Sequence, residues 1–330
     1  MRVLYIYRHP DMGFSIGKVF KPIEEEMEKY AEVDSVYLPC SNYQPKSLWK
    51  NIRAARKAVS QKRYDIIHIT GAEHYLIPFL PEDKLVVTVH DIMYYYYLSG
   101  LKKVLWKWLF IYPLKQAYYI TFISEFTMQQ VLSVINLPKG RITVIPNPVS
   151  KGFVFKHKDF YESKPVVLHI GTLERKNLQH TIMALEGLRC HLRIVGTITK
   201  DIKERLKEHN LEYSSVENLS DEEIVKEYRD CDIVNFPSTF EGFGMPIIEG
   251  QATGRIVVTS DMSPMKDVAG GGAVLVNPYS IDSIRNAYKL IIKDGGMRKS
   301  LIENGLENVK QYKTSVIALK YLEIYNKNKL

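Results

Sequence analysis

The stretch SKGFVFKHKDFYESK, residues 150–164, separates two series of short apolar runs and predicts a linker between two domains. The runs before it are VLYIY (3–7), VDSVYL (33–38), DIIHIT (65–70), LVVTV (85–89), YYITFI (118–123) and ITVI (142–145). Those after it are PVVLHI (165–170), LRIVG (192–196), DIVNF (232–236), IVVT (256–259) and AVLV (273–276). Continuous apolar strands that alternate with helical patterns predict parallel sheets with helices on both faces.

Two doubly wound α/β domains fit this pattern, and a chain of 330 residues has the length for both. We expect the first domain over residues 1–155, the second over 156–312, and a final helix in 313–330 that packs back toward the first. Ligands of such sheets bind at the carboxyl ends of the strands. The two Rossmann-like domains are therefore expected to face each other across a cleft.

Composition and charge restrict the class of protein. Hydrophobic residues make up 45% and charged residues 25%, which is typical of globular domains. The first apolar run is too short for a signal peptide, no run is long enough to span a membrane, and the three cysteines are scattered. We therefore expect a cytoplasmic protein with free thiols. Residues 1–150 hold 19 Lys and Arg against 13 Asp and Glu, which predicts an anionic surface or ligand, or only a basic face in water.

The segment FPSTFEGFGMPIIEG, residues 236–250, has the pattern of an anion-binding loop that opens onto a helix. A helix that began at Ser238 with a capping box would meet glycines and a proline where it has to propagate. The better start is near Met245, with Pro246 in the first turn. Backbone amides at such a helix start form a phosphate site, and here they belong to Phe243, Gly244 and Met245.

Glu241 and Glu249 lie in the same segment, although phosphate would repel them. An ionised carboxylate only accepts hydrogen bonds, and a pair of sugar hydroxyls is its natural target. A ligand with phosphates in its middle and hydroxyls on both sides is a nucleotide-diphosphosugar. We expect Glu249, one turn into the helix, to hold the ribose diol and Glu241 to hold the hydroxyls of the sugar.

The two glutamates, separated by seven residues, resemble the signature of the retaining glycosyltransferases of family 4. Further segments similar to the family are GTLERKNLQHTIMAL (171–185), LSDEEIVKEYRDCDIVNFPS (219–238), SDMSPMKDVAGGGAVLVNP (260–278), TVHDI (88–92), FISEFT (122–127) and VIPNPV (144–149). The resemblance covers nearly the whole chain. It implies the GT-B fold of two Rossmann-like domains, with the donor held by the second domain and the acceptor by the first.

In the second half, the resemblance assigns the diphosphate to Lys176 and Arg175, whose charges would neutralise it. Gly171 and Thr172 begin the loop that matches the family's diphosphate-binding loop. Many members have an arginine directly after that glycine, where this chain has Thr172. Arg175 is therefore expected to bind the diphosphate in place of that arginine as well as in its own position. Ser238 is expected beside the donor as well.

In the first half, the resemblance assigns His90, after the strand LVVTV, to the donor sugar, although a lone histidine usually has a structural role. The family also has a glycine-rich loop after its first strand. FSIGKVF (14–20) matches that loop in part, with Gly17 retained and Ser15 where glycine is common. Gly17 is therefore expected to contact phosphate or acceptor.

The tripeptide DCD, residues 230–232, has the spacing that other glycosyltransferases use to hold a divalent metal. It lies where a helical pattern ends and the strand IVNF begins. We expect Asp230 to cap the helix and Asp232 to open the strand, and no other cluster has metal-ligand spacing. The sequence therefore predicts an enzyme without metal or other cofactor.

These features together predict a metal-independent retaining hexosyltransferase. The resemblance implies a nucleotide-diphosphosugar as donor and a glycan or lipid-linked acceptor, and the form GTLERKN is reminiscent of mannosyltransferases in surface-polysaccharide assembly. The sequence places no second carboxylate as a covalent nucleophile, and a front-face displacement is what the resemblance implies. A nucleotide-sugar epimerase on the same fold and an inactive nucleotide-sugar-binding partner protein remain alternatives. No nucleic acid partner is expected.

The stretch LKKVLWKWLFIYPLK, residues 101–115, predicts contact with an anionic membrane surface. It interleaves four lysines with the aromatic residues Trp106, Trp108, Phe110 and Tyr112. A second basic segment carries Arg53, Arg56, Lys57, Lys62 and Arg63. Alternatively, the aromatic residues face the sheet and the lysines only face water. The first interpretation predicts a cytoplasmic protein that docks on the inner face of the cell membrane.

Overall fold

The computed structural model describes residues 1–12 and 15–327. The chain forms two compact units, Met1–Pro148 with Lys313–Leu330, and Val149–Tyr312. The boundary expected after residue 155 therefore moves to residue 148. The polar stretch 150–164 is part of the second unit, where the guanidinium of Arg255 donates to the carbonyl of Lys156 at 2.8 Å.

The first unit contains a six-stranded sheet in which every pairing is parallel. Its strands are β1 (Arg2–Tyr7), β2 (Glu32–Tyr37), β3 (Ile66–Ile69), β4 (Leu85–Val89), β5 (Tyr119–Phe122) and β6 (Ile142–Val144). Their order is β2-β1-β3-β4-β5-β6, and β3, β4 and β5 are buried at every position. The order reverses between β1 and β3, where a doubly wound sheet opens a crevice at its carboxyl edge.

The α-helices described before the second unit are α1 (Ser15–Met27), α2 (Pro45–Gln61), α3 (Met93–Tyr97), α4 (Gly100–Trp106) and α5 (Glu125–Leu132). The loop expected at 14–20 is wrong, because residues 15–20 form the first turns of α1. Ile16, Val19 and Phe20 are buried, and this spacing places them on one face of a helix. Gly17 therefore lies within α1, and Phe14 lies outside the described residues.

The second unit has its own six-stranded parallel sheet. Its strands are β7 (Val166–Ile170), β8 (His191–Val195), β9 (Tyr213–Val216), β10 (Ile233–Phe236), β11 (Ile256–Ser260) and β12 (Val274–Val276). The order β12-β11-β10-β7-β8-β9 is the dinucleotide-binding order, with its switch point between β7 and β10. The sequence did not predict β9, a polar edge strand of sequence YSSV without a fully buried position.

The helices of this unit are α6 (Leu178–Leu185), α7 (Lys200–Glu208), α8 (Asp221–Asp230), α9 (Met245–Ala252), α10 (Met265–Ala269), α11 (Ile281–Lys293) and α12 (Gly295–Asn308). Ser220 and Glu223 form a capping box that begins α8. The expected start of α9 at Met245 is confirmed, with Pro246 in the first turn.

The last helix, α13 (Thr314–Lys327), is part of the first unit. The hydroxyl of Tyr325 lies 2.6 Å from Nδ1 of His68 on β3, and that of Tyr321 lies 3.2 Å from Oγ1 of Thr88 on β4. Burial lowers the pKa of His68 to about 3, so its imidazole is neutral. The chain end thus completes the polar network inside the first sheet's core.

The predicted fold class is confirmed, because two doubly wound parallel sheets are present and helices connect their strands. Cys40, Cys190 and Cys231 form no disulfide. Over residues 1–12 and 15–327, no helix is both long enough and apolar enough to cross a membrane.

Candidate active site

The loop after β7 forms one wall of the candidate site at the switch point of the second sheet. Gly171 has a φ of +88°, and a side chain there would come within 3.2 Å of Cγ of Lys176. Glycine is therefore favoured by the backbone conformation, and a side chain would also press on that of Lys176. Thr172 donates from Oγ1 to the carbonyl of Thr197 at 2.8 Å, which ties the loop to the end of β8.

A cluster of three charged side chains joins this loop to the segment after β10. Arg175 donates from Nη1 to Oε1 of Glu241 at 2.7 Å, and Lys176 donates from Nζ to the same oxygen at 2.8 Å. Nζ of Lys176 also lies 4.7 Å from the centre of the Phe236 ring. Burial lowers the pKa of Lys176, while the Glu241 carboxylate acts in the opposite direction. The sequence placed these residues on different parts of the ligand, and the structure brings them together.

The first turn of α9 follows this cluster. Gly244 precedes the helix with a φ of +119°, and a side chain there would meet Cδ1 of Ile247 at 2.9 Å. Phe243 is buried edge-on against Tyr312. Met245 is the first helical residue, Pro246 has no amide hydrogen, and the amide of Ile247 donates to the carbonyl of Gly244 at 3.0 Å, so within the first turn the amide of Met245 is left to donate. The helix start can therefore donate to an anion.

Glu249 lies in the second turn of α9, where the hydroxyl of Tyr228 donates a hydrogen bond to its Oε2. Tyr228 is fully buried on α8, and burial raises its pKa well above the usual value, so the hydroxyl keeps its proton. The sequence reasoning missed Tyr228. The signal available was only a tyrosine in the last turn of the helix before DCD.

Asn177 is a second residue that the sequence reasoning missed. It adopts a left-handed conformation with a φ of 64°, and its side-chain amide donates to the carbonyls of Pro237 at 3.0 Å and Pro278 at 2.7 Å. These bonds join the loops after β7, β10 and β12. Ser238 lies at the same junction, with a fully buried hydroxyl that has no hydrogen-bond partner among the described residues.

His90 lies in the first unit, directly after β4. Its Nε2 is 2.8 Å from the carbonyl oxygen of Thr70, and a carbonyl only accepts, so Nε2 carries the proton and Nδ1 is an acceptor. Burial lowers the pKa of His90 to about 4, which keeps the ring neutral at physiological pH. Nδ1 of His90 can therefore accept a hydrogen bond.

The same edge of the first sheet carries a buried acid that the sequence did not suggest. Glu73 follows β3, is 2% exposed, and accepts no hydrogen bond at either oxygen from any described residue. Burial raises its pKa to about 7, against the opposing charge of Arg8. The adjacent His74 donates from Nδ1 to the carbonyl of Phe110, and burial lowers its pKa to about 4.

The carboxylates of DCD have partners within the protein. Asp232 is buried, pairs with Lys158, and accepts from the amides of Val166 at 2.8 Å and Tyr161 at 3.4 Å. Asp230 is the last residue of α8 and pairs with Lys226. In the part of the chain that the structure describes, no three His, Cys, Asp or Glu side chains are grouped as metal ligands.

Comparison with known proteins identifies the family. Residues 18–152 match the family described as Glycosyltransferase Family 4, and residues 150–308 match Glycosyl transferases group 1. O-antigen chain mannosyltransferase B of Escherichia coli is 24% identical over 291 residues, which cover 80% of this chain and 75% of that protein. The two family matches together span most of the chain.

Solved structures share the fold. Sucrose-phosphate synthase from Thermosynechococcus elongatus has a TM-score of 0.82 at 18% identity, covering 99% of this chain and 98% of the other. The Anabaena protein Alr3699/HepE, in complex with UDP and glucose, has a TM-score of 0.75 at 15% identity, covering 99% and 100%. From the family matches and the two parallel sheets, this chain belongs to the family 4, group 1 glycosyltransferases and has the GT-B fold.

Proposed function

We propose that this glycosyltransferase moves a hexose, with retention of configuration, from a nucleotide-diphosphosugar to a hydroxyl of a glycan or lipid-linked acceptor. The observation that carries the proposal is the convergence of Arg175 and Lys176 on one oxygen of Glu241 at the switch point of the second sheet. Two cations held beside a helix N-terminus suit a diphosphate, and an adjacent carboxylate suits sugar hydroxyls.

Each part of the donor has a matching group. Arg175, Lys176 and the amides of Phe243, Gly244 and Met245 at the start of α9 would neutralise the diphosphate as it leaves, because preorganised positive charge stabilises the negative charge that develops on a leaving group. No described residue donates to Oε2 of Glu241, so that oxygen can accept a hydroxyl of the sugar. Glu249, held by Tyr228, would accept from the ribose diol.

The step itself is a displacement at the anomeric carbon of the sugar. The bond from this carbon to the phosphate oxygen breaks, and the acceptor oxygen forms its new bond on the same face. The proton of the acceptor hydroxyl passes to the leaving phosphate oxygen, so the protein needs no covalent intermediate. In the first unit, His90 is neutral and its Nδ1 can accept a hydrogen bond from a sugar hydroxyl.

The names of the similar proteins support the setting of the reaction. The Escherichia coli relative is a mannosyltransferase of the O-antigen chain, and the Anabaena structure holds UDP and glucose. These names favour a transferase of surface-polysaccharide assembly over an epimerase or an inactive binding protein. We place the enzyme in the cytoplasm, with its lipid-linked acceptor at the inner face of the membrane.

Thermal unfolding with a panel of UDP-, GDP-, ADP- and TDP-sugars tests the donor. A true donor at ~100 times its dissociation constant should add ~2.7 kcal/mol to the free energy of unfolding. With that donor, NMR of the product should show the anomeric configuration of the donor sugar. No stabilisation by any sugar nucleotide would contradict the proposed substrate class, and an inverted product would contradict the proposed mechanism.

A further inference from the structure

The turn after β3 holds two buried side chains whose acceptor atoms lack a donor in the described part of the chain. Glu73 is 2% exposed, and no other described residue donates to either of its carboxyl oxygens. His74, equally buried, donates from Nδ1 to the carbonyl of Phe110, so its Nε2 has a lone pair, which also has no described partner. A buried acceptor without a donor costs free energy, so these atoms indicate a ligand that brings hydrogen-bond donors.

A glycine leaves space beside the carboxyl of Glu73. Gly71 has no positive φ, so its backbone conformation is open to any residue. A Cβ there would nevertheless come within 2.7 Å of Oε2 of Glu73. The segment follows β3, and the order of the first sheet reverses between β1 and β3. Glu73 therefore lies where a doubly wound sheet binds its ligands.

Tyr43, between β2 and α2, lies close to this carboxyl. Burial raises the pKa of its phenol, and the charge of Glu73 raises it further. The ring of Tyr43 meets those of Trp106 and Phe110 edge to face, with ring centres 5.7 and 5.1 Å away. In spite of these contacts, 38% of Tyr43 stays exposed. An aromatic ring held in this way can pack against the apolar face of a sugar ring.

The aromatic residues beneath Tyr43 belong to the stretch 101–115. Trp106 and Phe110 stack with ring centres 3.8 Å apart, and both pack in the core of the first unit. Trp108 is 63% exposed. The expectation that these aromatic residues face the sheet is thus confirmed for Trp106 and Phe110 and wrong for Trp108. Tyr43 consequently rests on side chains that the core holds in place.

The chemistry of Glu73 favours a hydroxyl over an ion as its partner. Burial raises the pKa of Glu73 to about 7, while the charge of Arg8 acts in the opposite direction, so both forms of the carboxyl are present near neutral pH. A hydroxyl both donates and accepts, and it can therefore pair with either form. An anion would be repelled by the ionised carboxyl, and a cation would lose its partner in the protonated one.

We propose that Tyr43 and Glu73 bind an uncharged hexose residue of the acceptor, with its ring against Tyr43 and a hydroxyl hydrogen-bonded to the carboxyl of Glu73. The proposal rests on the proposed function and adds to it a chemical class of acceptor and the residues that select it. Neither residue lies in a segment by which the chain resembles its family. An acceptor with a carboxylate or phosphate at this position would be selected against.

Saturation-transfer NMR with the full chain, without a donor, tests this selection. The probes are the methyl glycosides of mannose, glucose and galactose, each compared with its uronic acid, in which a carboxylate replaces the primary alcohol. We expect one neutral hexoside to bind about 10-fold or more tightly than its uronic acid, since the acid sets like charges against each other. Equal or tighter binding of the uronic acids, or no binding of any hexoside, would overturn the proposal.

Two variants of Glu73 separate its hydrogen bonds from its volume. Glu73→Leu removes both oxygens and should weaken binding of the preferred hexoside on the order of 10-fold. Glu73→Gln still donates and accepts, and it should bind within about three-fold of the wild type. Glu82→Leu, at an exposed acid of the same unit, is the matched control and should bind normally. Wild-type affinity in Glu73→Leu, or equal losses in the two Glu73 variants, would contradict the pairing with a hydroxyl.

The ring of Tyr43 is tested in the same assay. Tyr43→Ala should weaken binding about 2- to 13-fold, and Tyr43→Phe, which keeps the ring, should bind as the wild type does. Tyr213→Ala on β9 is the matched control, because Tyr213 is 37% exposed in the second unit. An equal loss in Tyr43→Ala and Tyr213→Ala would reject Tyr43 as the surface for the sugar ring.

Donor-induced thermal shifts keep this test separate from the proposed function. All variants should show the shift of the wild type, because Tyr43 and Glu73 belong to the first unit and the proposed donor groups Arg175, Lys176 and Glu249 to the second. A chain that a sugar nucleotide stabilises but that binds no hexoside would contradict this proposal alone. A chain that prefers neutral hexosides but responds to no sugar nucleotide would contradict the proposed donor alone.

Discussion

The carboxyl edges of the two sheets handle charge in opposite ways. At the edge of the second sheet, Arg175 and Lys176 each donate to Oε1 of Glu241 within 2.8 Å, so basic and acidic side chains are paired there. At the edge of the first sheet, burial moves Glu73 and His90 toward their neutral forms, with pKa values of about 7 and about 4. Both units are doubly wound, so this difference comes from the loop residues and not from the fold.

A glycosyl transfer involves both a charged diphosphate leaving group and neutral sugar hydroxyls, and these two kinds of group call for different partners. A diphosphate leaving group needs fixed cations, and a carboxylate that holds those cations in place keeps their charge compensated until the donor binds. A sugar hydroxyl is neutral, so a neutral ring nitrogen such as Nδ1 of His90 is a sufficient partner. The comparison can be tested at both edges.

The largest effect is expected from Lys176→Met, which removes a cation of the second edge. Turnover should fall ~10²- to 10³-fold, as when a group that stabilises a developing charge is lost. The measurement is the initial rate at saturating donor. Lys176→Arg should retain most of the activity, and Lys293→Met at the exposed end of α11 should retain all of it. A decrease of less than ten-fold for Lys176→Met would remove this lysine from the proposed mechanism.

Glu249→Gln should weaken donor binding while the fold stays intact. A neutral amide replaces an ionised acceptor, a loss of roughly 1.5–3 kcal/mol, or ~10- to 150-fold in affinity. Calorimetric titration with the donor measures it. Glu303→Gln on the exposed side of α12 is the matched control and should bind as the wild type does. Unchanged donor affinity in Glu249→Gln would contradict the proposed hydrogen bonds between this carboxylate and the ribose.

Glu73 predicts a pH dependence of stability at the first edge. Its pKa rises from 4.5 to about 7 on folding. Its contribution to the free energy of unfolding is therefore complete below the unfolded pKa and is lost as pH rises through about 7. Glu73→Gln keeps a neutral group, and its stability relative to the wild type should increase on the order of 2 kcal/mol between about pH 5 and about pH 8.

Urea unfolding followed by tryptophan fluorescence measures this difference in the first unit, because all three tryptophans, Trp49, Trp106 and Trp108, lie there. The histidines with lowered pKa values change stability in the opposite direction but equally in both proteins. Glu82→Gln, which alters an exposed acid, should show no such trend. A constant difference between Glu73→Gln and the wild type would mean that Glu73 is ionised in the folded protein.

Tyr228→Phe should have a smaller effect on donor affinity, about 2- to 13-fold, because it removes one hydrogen bond to Glu249 and keeps the ring against Phe153. The loss should vanish for a donor analogue without ribose hydroxyls. Calorimetry with both ligands separates positioning of Glu249 from a general weakening of the fold. An equal loss for both ligands would assign Tyr228 a purely structural role.

No effect is expected from chelation. Arg175, Lys176 and the start of α9 supply positive charge at the proposed diphosphate site, and Asp232 is engaged by Lys158. Turnover with EDTA should therefore stay within about two-fold of the untreated rate, since no proposed group depends on a metal. Activity that disappears with EDTA and returns with manganese would contradict this.

The sequence predicted what depends on short patterns and missed what depends on distant side chains. Buried parallel strands and the start of α9 follow from local apolar runs and from Pro246, and both were predicted. The edge strand β9 was missed because its polar residues lack the apolar signal of a covered strand. The contacts of Glu241 with Arg175 and of Glu249 with Tyr228 join loops and helices far apart in sequence, so no spacing encodes them.

The place of α13 has a consequence for how the protein is made. All of the second unit comes from one uninterrupted stretch, Val149–Tyr312, and can fold as soon as that stretch leaves the ribosome. The first unit begins first along the chain, yet Tyr321 and Tyr325 reach their partners Thr88 and His68 only after α13 has emerged, behind the whole second unit. Until then, Thr88 keeps its bonds to His68 and Thr121, but Nδ1 of the buried His68 lacks the hydroxyl of Tyr325, which is costly. The half that is translated first is therefore the half that finishes folding last.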